Sequence, residues 1–241
     1  DLPEEIFPEG NKKIDATSFS QGCEHVDRDS LRSFLDQLNY PLYYLDYETI
    51  GPAIPLFDGT KAYDRIPFQF SLHVQREEGG ELVHFEYLHK KADDPRRSVA
   101  GALIDLCGDE GSVVVYNQSF EESCNNKMAA AFPEYEEGLL QINQRMVDLL
   151  IPFKNRWLYH PHQGGSASIK SVLPAFSILS YDSMSIADGA EASIQYQSFM
   201  EGKLTEAEID SLWQNLSKYC ALDTKAMAEL IDVLSNKCVE D

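Results

Sequence analysis

Residues 41–49 read PLYYLDYET, an aromatic and aliphatic run that closes on two carboxylates. Read as a buried strand, with side chains alternating between faces, it sends Leu42, Tyr44, Asp46 and Glu48 to one side of a sheet. Residues 67–75 and 81–88 have similar composition and are separated by the turn-forming Glu78-Gly79-Gly80, so they read as a hairpin joined to that strand. Downstream, 95–107 reads as a helix, 112–116 (SVVVY) as a short buried strand and 119–132 as a second helix. Strand, hairpin, helix, strand, helix is the order of a mixed β-sheet flanked by helices, an α/β fold.

The remainder of the chain is helical. Residues 167–176 and 189–200 are candidates, and Thr205-x-x-Glu208 is a capping box that opens the clearest helix. Along it Ile209, Leu212, Trp213, Leu216, Cys220, Met227, Leu230, Ile231 and Leu234 mark one face. Asp223 falls inside that apolar stripe, where an ionised carboxylate needs a partner. On the other side of the first strand, Leu31, Phe34, Leu35 and Leu38 recur at helical spacing. Residues 1–25 lack periodicity and read as an arm. The expected organisation is an N-terminal arm and short helix over 1–40 and one domain over 41–241. Because the chain opens on Asp1 with no leader, it reads as part of a longer polypeptide with an upstream domain.

Composition bounds the function classes. Hydrophobic and charged fractions of 43% and 25% are ordinary for a globular chain, and no apolar run approaches the roughly 18 residues of a membrane span. Five cysteines without a C-x-x-C pair argue against a disulfide framework or a zinc knuckle, and point to a reduced, cytoplasmic setting. Twenty basic against forty acidic residues give a formal charge of -20, which on average repels nucleic acid. Residues 149–181, however, contain no acid and carry Lys154, Arg156, His160, His162 and Lys170. That stretch is either a partly buried loop and helix or a strand-binding edge beside an acidic centre.

Asp46 and Glu48, two apart on a strand, crowd like charges on one face, and a hard divalent cation such as Mg²⁺ or Mn²⁺ is the simplest compensation. The plain alternative is a strand end whose acids point into water. Tyr219 and Asp223 are four apart on the last helix and stack on one face. In VVVYNQSFEE (113–122), a buried strand runs through Asn117 into a helix with Glu121 in its first turn, where carboxylates are ordinary on dipole grounds. His73 and His84 read as structural strand residues, and His160-Pro161-His162 as a loop.

Taken together, these residues resemble the DEDD exonuclease superfamily, in which D-x-E on the first strand, an acid after an Asn-x-x-Phe element and Y-x-x-x-D on a late helix assemble two metal ions. Asp46 and Glu48 match the first motif, Glu121 the second, and Tyr219 with Asp223 the third, and the tyrosine places the chain in the tyrosine subclass. More closely, IPFQFSLHV, YNQSFE, GGSASIKSVLP and YCALDTKAM resemble a bacterial domain-of-unknown-function family grouped with ribonuclease H-like nucleases. The resemblance implies a ribonuclease H-like sheet and a 3′→5′ exonuclease acting on DNA or RNA, with a single-stranded 3′ end of nucleic acid and no membrane as its partner, and with two Mg²⁺ or Mn²⁺ ions. Within it Asp46 bridges the ions, Glu48 and Asp223 hold the one that activates water, Glu121 supports the other, and Tyr219 orients the water. Asn117, Lys170, Arg156 and His162 are candidates for the nucleotide and its phosphates, with Phe68, Phe70 and Trp157 for stacking a base. The departure is Glu121, since the second motif usually has Asp; Glu122 and Asp148 are the alternatives there. Two other function classes fit less of the pattern: a nuclease-like scaffold without catalysis, and a glycosidase using Asp46 and Glu48.

Overall fold

A computed structural model describes residues 10–181 and 189–239; the first nine residues of the expected arm, together with 182–188 and 240–241, lie outside the described residues. The chain begins with helix α1 (Asn11–Gln21), strand β1 (His25–Val26) and helix α2 (Arg28–Leu35). Asp27 caps α2, its side chain accepting from the Ser30 backbone N–H at 3.1 Å. The arm is thus helical over most of its described length. Its sequence, NKKIDATSFSQ, puts apolar residues on no single face, and so leaves no periodic signal to read.

Three strands form an antiparallel meander: β2 (Leu42–Ile50), β3 (Ile66–Gln75) and β4 (Leu82–Leu88). Helix α3 (Arg96–Cys107) crosses to β5 (Ser112–Val115), which lies parallel to β2. Helices α4 (Gln118–Ala131) and α5 (Glu136–Gln144) lead to β6 (Met146–Asp148), parallel to β5. The five-stranded order is β4-β3-β2-β5-β6, so the expected mixed sheet flanked by helices is what forms. β6 has three residues, too few to show alternation, and sequence reading did not find it or α5.

The chain ends in α6 (Leu150–Lys154), β7 (Leu158–Tyr159), α7 (Ile169–Phe176), α8 (Gly189–Met200) and α9 (Glu206–Val239). One sheet face, with Tyr43, Leu45, Tyr47, Phe70 and Leu72, packs on α3, α4 and α5. The opposite face, with Leu42, Tyr44 and Val114, packs on α2, α7 and α9. β7 pairs with β1, tying the N-terminal segment to the body.

Residue α9 Thr224 sets how that helix lies on the sheet. Its Oγ1 is 2.7 Å from Ser71 Oγ and 2.8 Å from His73 Nδ1, and Ser71 Oγ is 2.9 Å from His84 Nε2. Burial pushes the His73 pKa down to about 4, so its ring is neutral at pH 7 and serves the hydrogen-bond network. The two strand histidines are structural, as their sequence setting suggested, with rings stacked at 4.5 Å.

Candidate metal centre

Strand alternation delivers Asp46 and Glu48 to the face covered by α9, opposite Ser71 and Gln69 of β3. The register shifts between Glu48 and Thr49, so regular pairing breaks just past the second acid. From the edge of β5 the chain turns through Asn117, whose φ of 88° is left-handed, a conformation Asn tolerates better than most side chains. The Asn117 N–H donates to Asp148 Oδ1 at 2.9 Å, and α4 starts with Glu121 turned inward and buried. From α9, Tyr219 and Asp223 arrive one turn apart.

All five of these side chains, Asp46, Glu48, Glu121, Tyr219 and Asp223, line one cavity of about 330 Å³, shared with Asn117, Phe120 and Lys170. Glu48, Glu121 and Asp223 are 5%, 1% and 6% exposed. Burial, followed by the Asp223 charge, raises the Asp46 pKa well above the usual carboxylate range. Burial and then the Asp46 charge do the same for Glu121. Asp223 is pushed up to about 6 by burial, against hydrogen bonds from Tyr181 and Tyr219 and the Lys170 charge, which pull it down. Burial and the Asp223 charge raise the Tyr219 hydroxyl, so it keeps its proton.

The acids do not all meet at one point. Among the described residues, the donors close enough to share an ion are Asp46, Glu48 and Cys220, within 4.8 Å of one another; Asp223 and Glu121 stand outside that group. The donor set suits a divalent cation: carboxylates raise each other's pKa, and the buried Glu121 Oε2 has no hydrogen-bond partner among the described residues. Of the alternatives to Glu121, Asp148 Oδ1 is occupied by the N–H groups of Asn117 and Leu150. Glu122 accepts from Gln118 Nε2 at 2.6 Å and lines a different groove.

Two of the expected phosphate ligands are elsewhere. Arg156 is buried, with Nε 2.6 Å from Asp15 Oδ1 of α1 and further bonds to the Phe153 and Gly165 carbonyls. Its neighbourhood is the clasp on the N-terminal helix, because a buried guanidinium needs an acid beside it. His162 lies in the 3₁₀ turn Pro161–Gln163, its ring 4.5 Å from that of His160, and it does not line the cavity. The stacking candidates are likewise used in packing: Phe68 stacks on Tyr196 at 3.7 Å, Phe70 is fully buried beside Tyr47, and Trp157 packs in the α2–α9 core.

Lys170 does line the cavity, its Nζ 5.2 Å from the Tyr219 ring and 5.7 Å from Tyr181. Three further residues were not singled out by sequence reading. Tyr181 donates to Asp223 Oδ1 at 2.6 Å from a loop without periodicity. Arg65, exposed, places its guanidinium 4.6 Å from the Phe120 ring and also lines a second cavity of about 580 Å³. Cys220 carries no sequence signal beyond its place in an apolar stripe, although its i, i+3 relation to Asp223 puts both on one side of the helix.

The family model described as "Domain of unknown function (DUF2779)" matches residues 43–168, a stretch that includes Asp46, Glu48 and Glu121 and ends before α9. The chain is also similar to the protein described as uncharacterized protein MG366 of Mycoplasma genitalium, 27% identical over 207 residues, covering 78% of this chain and 31% of that protein. Its Mycoplasma pneumoniae homolog is 28% identical over 215 residues, covering 81% and 32%. Uncharacterized protein UU173 of Ureaplasma parvum is 26% identical over 206 residues, covering 76% and 30%. The chain spans about a third of the length of these curated relatives. No solved structure matches it.

Proposed function

This chain belongs to the DUF2779 family, a domain of unknown function, and we propose that it is a divalent-metal-dependent 3′→5′ exonuclease that hydrolyses phosphodiester bonds of DNA or RNA. The main support is the convergence of Asp46, Glu48, Glu121, Tyr219 and Asp223, from three separated segments, on one cavity. The strand order, a three-strand meander followed by two parallel strands, supports the ribonuclease H-like part of the resemblance. The 3′→5′ polarity rests on the motif resemblance alone.

Asp46 and Glu48 would hold one ion, Asp223, outside their donor group, would support it from α9, and Glu121 would support a second from the α4 side. When bound, Mg²⁺ or Mn²⁺ supplies positive charge to the attacking and leaving oxygens of an in-line displacement at phosphorus. Tyr219, protonated at neutral pH, donates toward Asp223 and is placed to orient a water by its hydroxyl rather than to act as a base. Lys170 and Asn117 line the cavity, and Arg65 lies over its Phe120 wall; the two cations would bind phosphate. The test is a 5′-labelled single-stranded DNA or RNA incubated with the protein and Mn²⁺ or Mg²⁺. A ladder shortened from the 3′ end is expected for the wild type and not for Asp46→Ala; a wild type inert on both polymers with both ions overturns the proposal.

A second reading, a nuclease-like binding module within a longer protein, is favoured by Glu121 standing where the resembled motif has Asp. Mn²⁺ titration separates the two. An intact centre gains thermal stability by mass action, and a decayed one does not.

A further inference from the structure

Cys220 follows Tyr219 on α9, fully buried, its Sγ 3.8 Å from both the carbonyl oxygen and Oδ2 of Asp46. The motif resemblance gives this thiol no role. It nonetheless belongs to the group, with Asp46 and Glu48, whose donor atoms lie within 4.8 Å of one another. A Zn–S bond of about 2.3 Å and a Zn–O bond of about 2.1 Å meeting at a tetrahedral angle put the two donors roughly 3.6 Å apart. The Sγ to Oδ2 separation of 3.8 Å is therefore close to that of two ligands on one ion.

Unsatisfied polar groups around the cluster point the same way. Glu121, 1% exposed, lines the cavity with Asp46 and leaves Oε2 without a hydrogen-bond partner among the described residues. Gln69, in register with Glu48 on β3 and fully buried, leaves both Oε1 and Nε2 unpartnered in the same sense. Buried polar atoms without partners are uncommon, and an ion with its ligand shell is one of the few arrangements that satisfies them.

We infer that Cys220 is a third donor to the ion held by Asp46 and Glu48, so that this centre prefers thiophilic divalent ions, Zn²⁺ and Cd²⁺, over Mg²⁺. The inference rests on the metal-centre half of the function proposed above and not on its nuclease half. Sulfur binds such ions as the thiolate, a soft donor that favours Zn²⁺, whereas Mg²⁺ takes oxygen ligands and keeps several waters. Zn²⁺ at this position would compete with the ions that an all-oxygen exonuclease centre uses.

The experiment is a Cd²⁺ titration of the full chain carrying Cys23→Ser and Cys238→Ser, which removes the exposed and the half-buried thiol. The readout is the ultraviolet charge-transfer absorbance of a Cd–thiolate bond, with Zn²⁺ and Mg²⁺ as competitors. One Cd²⁺ per chain is expected, displaced by Zn²⁺ and not by Mg²⁺, with the band lost in Cys220→Ser and in Asp46→Asn. Cys220→Ser should weaken Cd²⁺ binding at least about tenfold, the lower end of what outer-shell partners alone cost. Cys220→Ala, with a thermal melt on each variant, guards against a folding defect. A band that survives both Cys220 substitutions, or Cd²⁺ binding with no sulfur band, overturns the inference. If Mn²⁺ binds calorimetrically while no band appears, the sulfur ligand fails and the carboxylate centre stands. If the band appears in a protein that shortens no oligonucleotide, the inference holds and the exonuclease proposal fails.

Discussion

The hydroxyl of Tyr181 donates a 2.6 Å hydrogen bond to Oδ1 of Asp223, occupying one of the oxygens that the late-helix acid has to offer. That bond favours the ionised carboxylate, opposing the burial that lifts its pKa to about 6. Tyr181→Phe should therefore raise the Asp223 pKa further. Since only the ionised Asp223 adds negative charge beside the ion, calorimetric Mn²⁺ affinity should fall severalfold near about pH 6 and change little near about pH 8. Equal loss at both pH values would show that Tyr181 acts by another route.

The same acids set how the ion-free protein responds to pH. Asp46, Glu121 and Asp223 all have pKa values raised above their unfolded ones, so the folded state binds protons more tightly. Their contribution is complete below about pH 4 and is lost as pH rises through the folded values, about 6 for Asp223. With chelator present, Asp223→Asn should melt higher than wild type at about pH 7.5, and the gap should close toward about pH 4. Mn²⁺ should raise the wild-type melting temperature at about pH 7.5, and raise that of the variant, which keeps Asp46 and Glu48, by less. A lower melting temperature for the variant in chelator would count against crowded charge as the strain in the cavity.

Arg65 has no ion pair among the described residues, in contrast to Arg96 and Arg156, and sits over Phe120 at the cavity edge. If it grips a phosphate, Arg65→Ala should raise KM for an oligonucleotide about tenfold with kcat little changed, and lower the slope of log affinity against log salt by about one contact. An unchanged salt slope would rule out the phosphate contact.

Arg156 gives the opposite expectation. Its side chain is 8% exposed and its partner Asp15 23%, so removing the guanidinium leaves a mostly buried carboxylate uncompensated. Arg156→Ala should destabilise the fold by ~3 kcal/mol in urea unfolding. Mn²⁺ binding to the folded fraction should be unaffected.

Much of the candidate centre was legible because its parts are local patterns. Asp46 and Glu48 share a strand face by the period of two, and Tyr219 with Asp223 share a helix face by the period of 3.6. The basic stretch at 149–181 was not legible in the same way. Arg156 looked available because no acid is near it in sequence, yet its partner lies 141 positions away in a helix with no apolar stripe to announce it. Phe68 and Phe70 failed as stacking candidates because β3 is buried along its whole length, which composition alone cannot separate from a half-exposed strand. Tyr181 and Arg65 sit in irregular connections, where neither period applies.

Thr224 bears on all of this from underneath the helix. Apolar packing by itself is tolerant of sliding and rotation, since one methyl group resembles another; hydroxyl contacts at 2.7 and 2.8 Å to Ser71 and His73 are not. A slip of one residue would swing Tyr219 and Asp223 about 100° around the helix axis and out of the cavity. The buried threonine thus works as a detent that clicks a 34-residue rod into a single angular setting, so the aim of two side chains is held by a neighbour that does not itself line the cavity.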